Sequence, residues 1–234
     1  MVFRLPGQGT LMNLLPSVSA QMRREFQRTG YSVVQAALPL DLTTRWRRKA
    51  EKLKANALTV KRSDKEFQLV YRVVTGDVIH HRWHELFSFY RNPAVLAWIK
   101  KLTGERTIYT SPSLRSAVNL NIMESTDSVY RWHFDAVPYT MLLYLNDVTP
   151  ANGGAMQIVP DCKPHSEPDL RRAGIVELWP TAGTVVLMDG TRCYHRVAQL
   201  LRPDTRFSIP LVYPNKEDVQ RPAGLDAYLY KKSA

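Results

Sequence analysis

His133 and Asp135 lie two positions apart in a stretch, "VYRWHFDAVPYTMLLYLND" (129–147), that otherwise has the composition of β-strands. Side chains at positions i and i+2 of a strand point to the same face of a sheet. The imidazole and the carboxylate are therefore predicted to converge on one point, with Trp132 and Phe134 on the opposite face. A nitrogen and an oxygen donor directed at one point supply two ligands of a divalent metal site.

A third ligand must come from another part of the fold, and His195 is the best candidate. It lies in "LMDGTRCYHRVAQ", at the start of a predicted strand and 62 residues after His133. Two histidines and one carboxylate form the facial triad of non-haem iron(II), which leaves open positions on the metal. His165 is the alternative third ligand, but it lies in a proline-rich turn and no arginine follows it at a suitable distance.

Arg206 and Ser208 lie on a further predicted strand, in "RPDTRFSIPLVYP", and Arg206 follows His195 by eleven residues. The strand period places the two side chains on one face. A guanidinium binds a carboxylate through two parallel hydrogen bonds, and a neighbouring hydroxyl adds another. The pair therefore suits the distal carboxylate of a dicarboxylate. Arg202 is the alternative cation, although it precedes Pro203 in a turn and has no hydroxyl two residues later.

The order H-x-D, distal His and Arg-x-Ser resembles the Fe(II)/2-oxoglutarate-dependent oxygenases over about residues 107–213. The segments "MLLYLNDVTPANGGAMQIVP", "WPTAGTVVLMDG" and "YHRV" are similar to the phytanoyl-CoA dioxygenase type, whereas residues 161–165 depart from that pattern. The resemblance implies an enzyme that consumes O2 and 2-oxoglutarate and releases succinate and CO2. It implies that iron(II) and the cosubstrate are held by the catalytic set His133, Asp135 and His195 and by Arg206 and Ser208.

Asp135 bears on the reaction outcome that the resemblance implies. In related halogenases a small residue replaces this carboxylate and leaves room for chloride, so its presence here favours hydroxylation, desaturation or ring formation. Asn119 and Asn121 share a face of the preceding predicted strand, and one of them is predicted to bind 2-oxoglutarate. The alternative for these amides is a hydrogen bond to the barrel backbone.

The substrate that the resemblance suggests is a small amino-acid-like metabolite of the kind used in secondary metabolism. Such a substrate needs a cation for its carboxylate and an acid for its amine. Arg72 and Arg115 are the candidate cations, and Glu124 is the candidate acid. The alternative is the same chemistry on a substrate tethered to CoA or to an acidic carrier protein, docked by the helix at 43–54. A nucleic-acid-modifying dioxygenase is a third class, but the sequence contains no base-stacking or groove-reading motif.

The elements that must position these residues change in character along the chain. Helices are predicted at 16–29, 41–57 and 81–104, the last broken at Asn92-Pro93, with a strand at 31–38. Short alternating strands follow from about residue 107. This order predicts an α+β fold of one domain (1–234), with a helical basic part at about 1–105. A double-stranded β-helix core, a cupin-like jelly roll, is predicted at about 106–214, with the helices packed outside.

The charge of the chain is uneven. The net charge is +11, and all of it lies in residues 1–101, which contain 18 Lys and Arg against 7 Asp and Glu. Such a field attracts acidic partners, although it also occurs on ordinary solvated helix surfaces. The two cysteines predict no disulfide framework, and no apolar run is long enough to span a bilayer. We therefore expect a cytoplasmic enzyme without a membrane partner.

Overall fold

The computed structural model describes residues 14–63, 68–163, 166–217 and 230. Helices dominate the first part of the described chain, and none of those in the described ranges has the length and hydropathy needed to cross a membrane. A short 3-10 turn, Lys54–Asn56, follows the second helix. The six α-helices are α1 (Ala20–Thr29), α2 (Leu40–Leu53), α3 (Gly76–Arg82), α4 (His84–Tyr90), α5 (Pro93–Thr103) and α6 (Leu114–Ala117).

The helix ends follow the local sequence signals. The Ser19 hydroxyl accepts a hydrogen bond from the backbone N–H of Met22 and caps α1, which ends at Gly30 with a φ of 78°. The Asn92 side chain caps α5 at the backbone N–H of Ala94, and Pro93 occupies the first turn, where its missing N–H costs nothing. The predicted break at Asn92-Pro93 is therefore confirmed.

Within the described residues, eleven strands form one continuous antiparallel sheet. Its order is β1-β9-β6-β11-β4-β3-β5-β10-β7-β8, and β2 pairs with β3 outside this path. The strands are β1 (Tyr31–Val34), β2 (Leu58–Ser63), β3 (Gln68–Val74), β4 (Leu120–Met123), β5 (Val129–His133), β6 (Tyr139–Tyr144), β7 (Met156–Val159), β8 (Val176–Leu178), β9 (Val185–Asp189), β10 (Tyr194–Val197) and β11 (Arg206–Tyr213).

The sheet curls around a cavity, because residues from strands far apart in its order line the same space. His195 of β10 and Ser208 of β11 both line this cavity, although three strands, β4, β3 and β5, lie between β11 and β10 in the order. Along β11, Ser208 and Pro210 face the cavity, while Ile209 and Leu211 belong to the buried core shared with the helices. Alternate side chains of a strand thus line the cavity on one face and pack against the helices on the other, as the predicted jelly roll requires.

The helices pack on the outer face of the curled sheet. Trp46 of α2 is fully buried, with its ring edge-to-face against Phe89 at 5.7 Å and Trp83 at 6.0 Å. The same core contains Leu143, Leu187 and other outward-facing strand residues. Complete burial of one such leucine stabilises the fold by about 2 kcal/mol. This packing fixes the strands that carry the site, and it confirms the prediction that the helices lie outside the β core.

Two features of the sheet differ from the sequence-based expectation. The sheet starts before the predicted boundary near residue 106, because β1 pairs with β9 and β3 pairs with both β4 and β5. The strands are also expected to begin at about residue 107, but residues 107–111 form no strand and α6 follows them, so the first strand after α5 is β4. Both errors come from short segments whose state depends on distant pairing partners rather than on local pattern.

Candidate active site

His133 and His195 are directly opposed residues of neighbouring strands. His133 is the last residue of β5, His195 lies in β10, and the antiparallel register pairs one with the other. Their ring centroids are 4.1 Å apart. The ligand atoms of these two side chains and of Asp135 all lie within 4.8 Å of one another, so the predicted convergence is confirmed. His165, the alternative ligand, lies outside the residues that the structure describes.

Both imidazoles are oriented by the backbone. Nδ1 of His133 lies 2.8 Å from the carbonyl oxygen of Arg131, and Nδ1 of His195 lies 2.9 Å from that of Cys193. A carbonyl only accepts hydrogen bonds, so each Nδ1 carries the proton and donates it. Each Nε2 therefore keeps a lone pair directed towards the triad centre, which is the tautomer that a metal ligand needs.

Asp135 follows β5 and is held by two hydrogen bonds. Its backbone N–H donates to the Gly190 carbonyl at 2.9 Å, and its Oδ2 accepts a hydrogen bond from the Thr140 hydroxyl at 2.7 Å. Its Oδ1 lies 3.5 Å from Nε2 of His133 and 3.8 Å from Nε2 of His195. One carboxylate oxygen thus faces the imidazoles, and the other is bound to protein.

The protonation states suit metal binding. Burial, together with the neighbouring His133, lowers the pKa of His195 to about 4, although the charge of Asp135 acts in the opposite direction. Burial by itself raises the pKa of Asp135, but the two imidazoles and the Thr140 hydroxyl together hold that pKa well below its usual range. At neutral pH the site therefore contains a neutral His195 imidazole and an ionised carboxylate, both able to donate electron pairs.

Arg206 supplies a buried positive charge in the same cavity. The residue is only 4% exposed, and no acidic partner among the described residues forms a salt bridge with it. Its Nη1 donates to the Ser208 hydroxyl at 3.1 Å, and its Nε lacks a hydrogen-bond partner within the described part of the chain. Its guanidinium lies over the ring of Tyr144 at 5.3 Å. Burial lowers the pKa of Arg206. A buried cation without an acid is costly, so the arrangement suits an anionic ligand.

The two predicted asparagines have different surroundings. Asn121 lies opposite Ser208 in the β4–β11 register and lines the cavity beside the Arg206 pair. Asn119 is buried, and its amide is best oriented to accept from the Tyr230 hydroxyl at 2.7 Å while donating to the backbone carbonyls of Arg115 and Val118. Asn119 thus makes the backbone contacts of the alternative, although it also lines the cavity. A cosubstrate contact of either asparagine stays a prediction.

Arg72 and Glu124, two of the predicted substrate residues, bind each other. Nη1 of Arg72 donates to Oε2 of Glu124 at 2.6 Å, and Nζ of Lys54 lies 2.5 Å from the other carboxylate oxygen. Neither Arg72 nor Glu124 lines the cavity. Because each charge already has a partner, this arrangement does not favour a substrate contact for either, and that role stays a prediction. The network instead ties the end of α2 to β3 and β4.

Arg115 lies next to the cavity. It is exposed, and its guanidinium lies 5.2 Å from the ring centroid of Tyr230, which lines the cavity. Of the three predicted substrate residues it is therefore the one whose charge lies beside the lining. Tyr230 comes from near the chain end, so no local sequence pattern indicates this contact.

The cavity itself has a volume of about 340 Å³, in the range typical of small-molecule sites. Among the described lining residues, Asp135 and Arg206 are the acidic and basic side chains, and the rest are histidine, uncharged polar or apolar groups. Sequence reasoning missed the four tyrosines among the described lining residues, Tyr71, Tyr130, Tyr144 and Tyr230. Tyrosines with similar positions in a sequence often have only a structural role, so these could be recognised as lining residues only from the fold.

The comparisons with known proteins agree with this geometry. The family model described as "HalD: Halogenase D" matches residues 15–228. No curated protein matches the chain.

Several solved structures share the fold. The non-haem α-ketoglutarate-dependent carbocyclase SnoK from nogalamycin biosynthesis is 20% identical, with a TM-score of 0.67 over 88% of this chain and 86% of that one. The epimerase SnoN from the same biosynthesis is 18% identical, with a TM-score of 0.66 over 83% and 82%. EctD from S. alaskensis with bound Fe is 20% identical, with a TM-score of 0.66 over 92% and 84%. At these identities the likeness shows the fold alone.

Proposed function

The chain belongs to the Halogenase D family, and from this premise we propose that it is a non-haem iron(II)- and 2-oxoglutarate-dependent oxygenase. It hydroxylates an unactivated C–H bond of a small molecule and releases succinate and CO2. The main support for the proposal is that one cavity contains two separate groups. One is the cluster of His133, Asp135 and His195, and the other is the buried guanidinium of Arg206, which has no acidic partner among the described residues. Solved structures of the same fold include enzymes described as α-ketoglutarate-dependent.

The donor set fits iron(II). Two imidazole nitrogens and one carboxylate oxygen are the ligands of the facial triad. Neither cysteine competes, because Sγ of Cys193 is directed to the Thr29 carbonyl and Sγ of Cys162 to the Val159 carbonyl. When bound, iron(II) with 2-oxoglutarate and O2 supplies the oxidising power for C–H cleavage. His133, Asp135 and His195 hold the metal, and the backbone carbonyls of Arg131 and Cys193 fix their imidazoles.

Arg206 and Ser208 provide the anchor for the cosubstrate. The buried guanidinium of Arg206 has an Nε donor without a hydrogen-bond partner among the described residues, and a carboxylate suits such a group. The Ser208 hydroxyl, which accepts from Nη1, can donate its own proton to the same carboxylate. The alternative cation, Arg202, is exposed on the turn before β11. The far carboxylate of 2-oxoglutarate therefore binds at β11, which directs the keto acid end towards the triad across the cavity.

Asp135 determines the kind of product that we propose. The family carries the name of a halogenase, but this chain retains a carboxylate at the third ligand position. A retained carboxylate occupies the place that a halide needs, so oxygen transfer to the substrate is the proposed outcome. Desaturation and ring formation start from the same hydrogen abstraction and are separated from hydroxylation by the product mass.

The substrate class that we propose is a small amino-acid-like metabolite. Arg115, exposed beside the cavity-lining Tyr230, is placed to bind a substrate carboxylate at the edge of the cavity. Ser116 and tyrosine side chains line the space beyond it. The volume of about 340 Å³ suits a molecule of this size rather than a polymer.

The second candidate is the same chemistry on a substrate tethered to an acidic carrier protein. The observation that favours it is the outer face of α2, where Arg47, Arg48 and Lys52 are exposed. None of them takes part in a salt bridge with another described residue. Leu40, at the start of the same helix, is 79% exposed. A basic face with an apolar residue at its end matches an acidic partner surface.

One experiment separates these candidates. Purified protein is supplied with iron(II), 2-oxoglutarate and a panel of free amino acids and related metabolites, the same compounds loaded on a carrier, and single-stranded nucleic acid. Succinate and a product heavier by one oxygen atom are measured by mass spectrometry, with His133→Ala as the control. Turnover of free metabolites supports the first candidate, and turnover only of loaded carrier supports the second. Succinate production that His133→Ala leaves intact contradicts the proposal.

A further inference from the structure

Asp135 is enclosed on the side facing away from the histidines. The Thr140 hydroxyl donates to its Oδ2 at 2.7 Å, and Gly190 lies against the same carboxylate. A Cβ on Gly190 would lie 2.2 Å from Oδ2 and 2.5 Å from Cβ of Asp135, which is well inside van der Waals contact. The position at 190 is therefore open only because it has no side chain.

The two elements that supply these contacts are neighbours in the sheet. Thr140 lies in β6, opposite Met188 of β9, and Gly190 follows β9 directly. The Gly190 N–H donates to the Pro138 carbonyl at 2.6 Å, and the Gly190 carbonyl accepts from the Asp135 N–H at 2.9 Å. The turn after β9 and the start of β6 thus form one rigid frame around the carboxylate.

The two carboxylate oxygens of Asp135 have different surroundings. Oδ1 lies 3.5 Å and 3.8 Å from the Nε2 atoms of His133 and His195, so it shares the triad centre with them. Oδ2 is engaged by the Thr140 donor and covered by the Gly190 backbone. A hydroxyl that donates to Oδ2 at 2.7 Å holds that oxygen away from the centre.

We propose that Thr140 and Gly190 are positioning residues that restrict Asp135 to one metal-binding oxygen. The inference rests on the proposed function, since it concerns the metal of that site. A second carboxylate oxygen on the metal would occupy a position that the facial triad leaves open. With Oδ2 held by the Thr140 hydroxyl, Asp135 would offer one oxygen to the metal, and the other positions would stay available for 2-oxoglutarate and O2.

The two residues divide this role. Gly190 provides the room in which the carboxylate sits, and Thr140 fixes its rotation about the Cβ–Cγ bond. A side chain at position 190 would fill this space, and it is expected to displace the Asp135 carboxylate and weaken the metal site. Loss of the hydroxyl alone is expected to leave the ligand in place and free it to bind through both oxygens.

The test uses cobalt(II) as the probe, because its visible spectrum reports coordination number without turnover. The variants are Thr140→Val, which keeps the shape and removes the hydroxyl, Thr140→Ser, which restores it, and Gly190→Ala. Thr44→Val is the matched control, because Thr44 is exposed on α2. Each protein is titrated with cobalt(II) alone and then with 2-oxoglutarate, and thermal unfolding identifies any variant that is not folded.

We expect Thr140→Val to bind cobalt(II) within about tenfold of the parent but with a visible spectrum that differs from the parent's, because a second carboxylate oxygen would replace a water ligand, and Thr140→Ser to regain the parent spectrum. Gly190→Ala is expected to bind cobalt(II) about 10–100-fold more weakly. If Thr140→Val has the parent spectrum before and after 2-oxoglutarate, or if Gly190→Ala binds with parent affinity, the inference is wrong while the proposed function stands. If the parent itself binds no better than His133→Ala, the proposed function fails as well.

Discussion

His133 and His195 lie opposite each other on antiparallel strands β5 and β10, with their ring centroids 4.1 Å apart. Two ligands of the triad are thus fixed by one cross-strand pair, and the third, Asp135, follows two residues after the first. The pairing makes the metal site depend on strand register, because a shift of one residue turns each imidazole to the other face of the sheet.

The first prediction concerns this pair. His195→Ala removes one ligand and is expected to weaken iron(II) or cobalt(II) binding by more than about 100-fold, since loss of even an outer hydrogen-bond partner of a ligand costs about 10–100-fold. Isothermal titration and succinate release measure the effect. His84→Ala is the control, because His84 is exposed on α4. Equal loss in both variants would point to a general folding defect.

The second prediction concerns the cosubstrate anchor. Arg206→Gln is expected to raise the KM for 2-oxoglutarate about 100-fold or more, because truncation of a buried charge partner costs about 2–5 kcal/mol. Arg202→Gln provides the matched control four residues earlier, on the exposed turn. Ser208→Ala is expected to give a smaller rise of about fivefold, equivalent to one hydrogen bond. Unchanged KM in Arg206→Gln would place the cosubstrate elsewhere.

The third prediction concerns product identity. With excess chloride, the parent protein is expected to form only oxygenated or dehydrogenated product, because Asp135 occupies the third ligand position. Mass spectrometry distinguishes chlorinated product by its isotope pattern. Asp135→Gly is expected to lose most of the hydroxylation, with Asp127→Gly on a nearby exposed turn as the control. A chlorinated product from the parent protein would overturn the proposed outcome.

The fourth prediction separates two roles of Glu124. The structure places it between Lys54 and Arg72, so Glu124→Gln is expected to lower stability by about 1 kcal/mol and to leave the substrate KM unchanged. Denaturant unfolding and steady-state kinetics measure the two effects. Glu167→Gln is the exposed control. A rise in substrate KM without loss of stability would instead support the substrate role predicted from the sequence.

The fifth prediction concerns pH. Burial lowers the pKa of His195 to about 4 from its usual 6.5, so the unfolded chain binds a proton that the folded metal-free protein does not. Stability is therefore expected to fall as the pH drops from about 6.5 towards 4, at up to about 1.4 kcal/mol per pH unit. Unfolding of the metal-free protein across this range measures the slope. His195→Asn should flatten it, and an equal slope in that variant would assign the proton elsewhere.

Much of the candidate site could be predicted because its residues follow the strand period. His133 with Asp135, and Arg206 with Ser208, each share a face by spacing alone, and all four line one cavity. Glycine and proline signals likewise located the ends of α1 and α5. These are local patterns that the sequence states directly.

The partners of these residues were not predictable in the same way. Thr140 and Gly190 meet Asp135 only because β6 lies beside β9, and Arg72 meets Glu124 only because β3 lies beside β4. Such contacts depend on sheet order and register, which cannot be read from the alternation of residues along a single strand. The same reason explains why the contribution of β3 to the sheet was missed.

The pairing of β1 with β9 has a consequence for how the chain becomes an enzyme. Tyr31 lies opposite Met188, so a strand made early in synthesis finds its partner only after about 150 further residues. Contacts of such separation form late and slowly, because a long loop must close before they add stability. The Gly30 carbonyl accepts from the Asp189 N–H at 2.7 Å, one residue before Gly190. We therefore expect nascent chains that stop before residue 195 to lack a complete iron site, which delays oxygen chemistry until β9 and β10 have both been made.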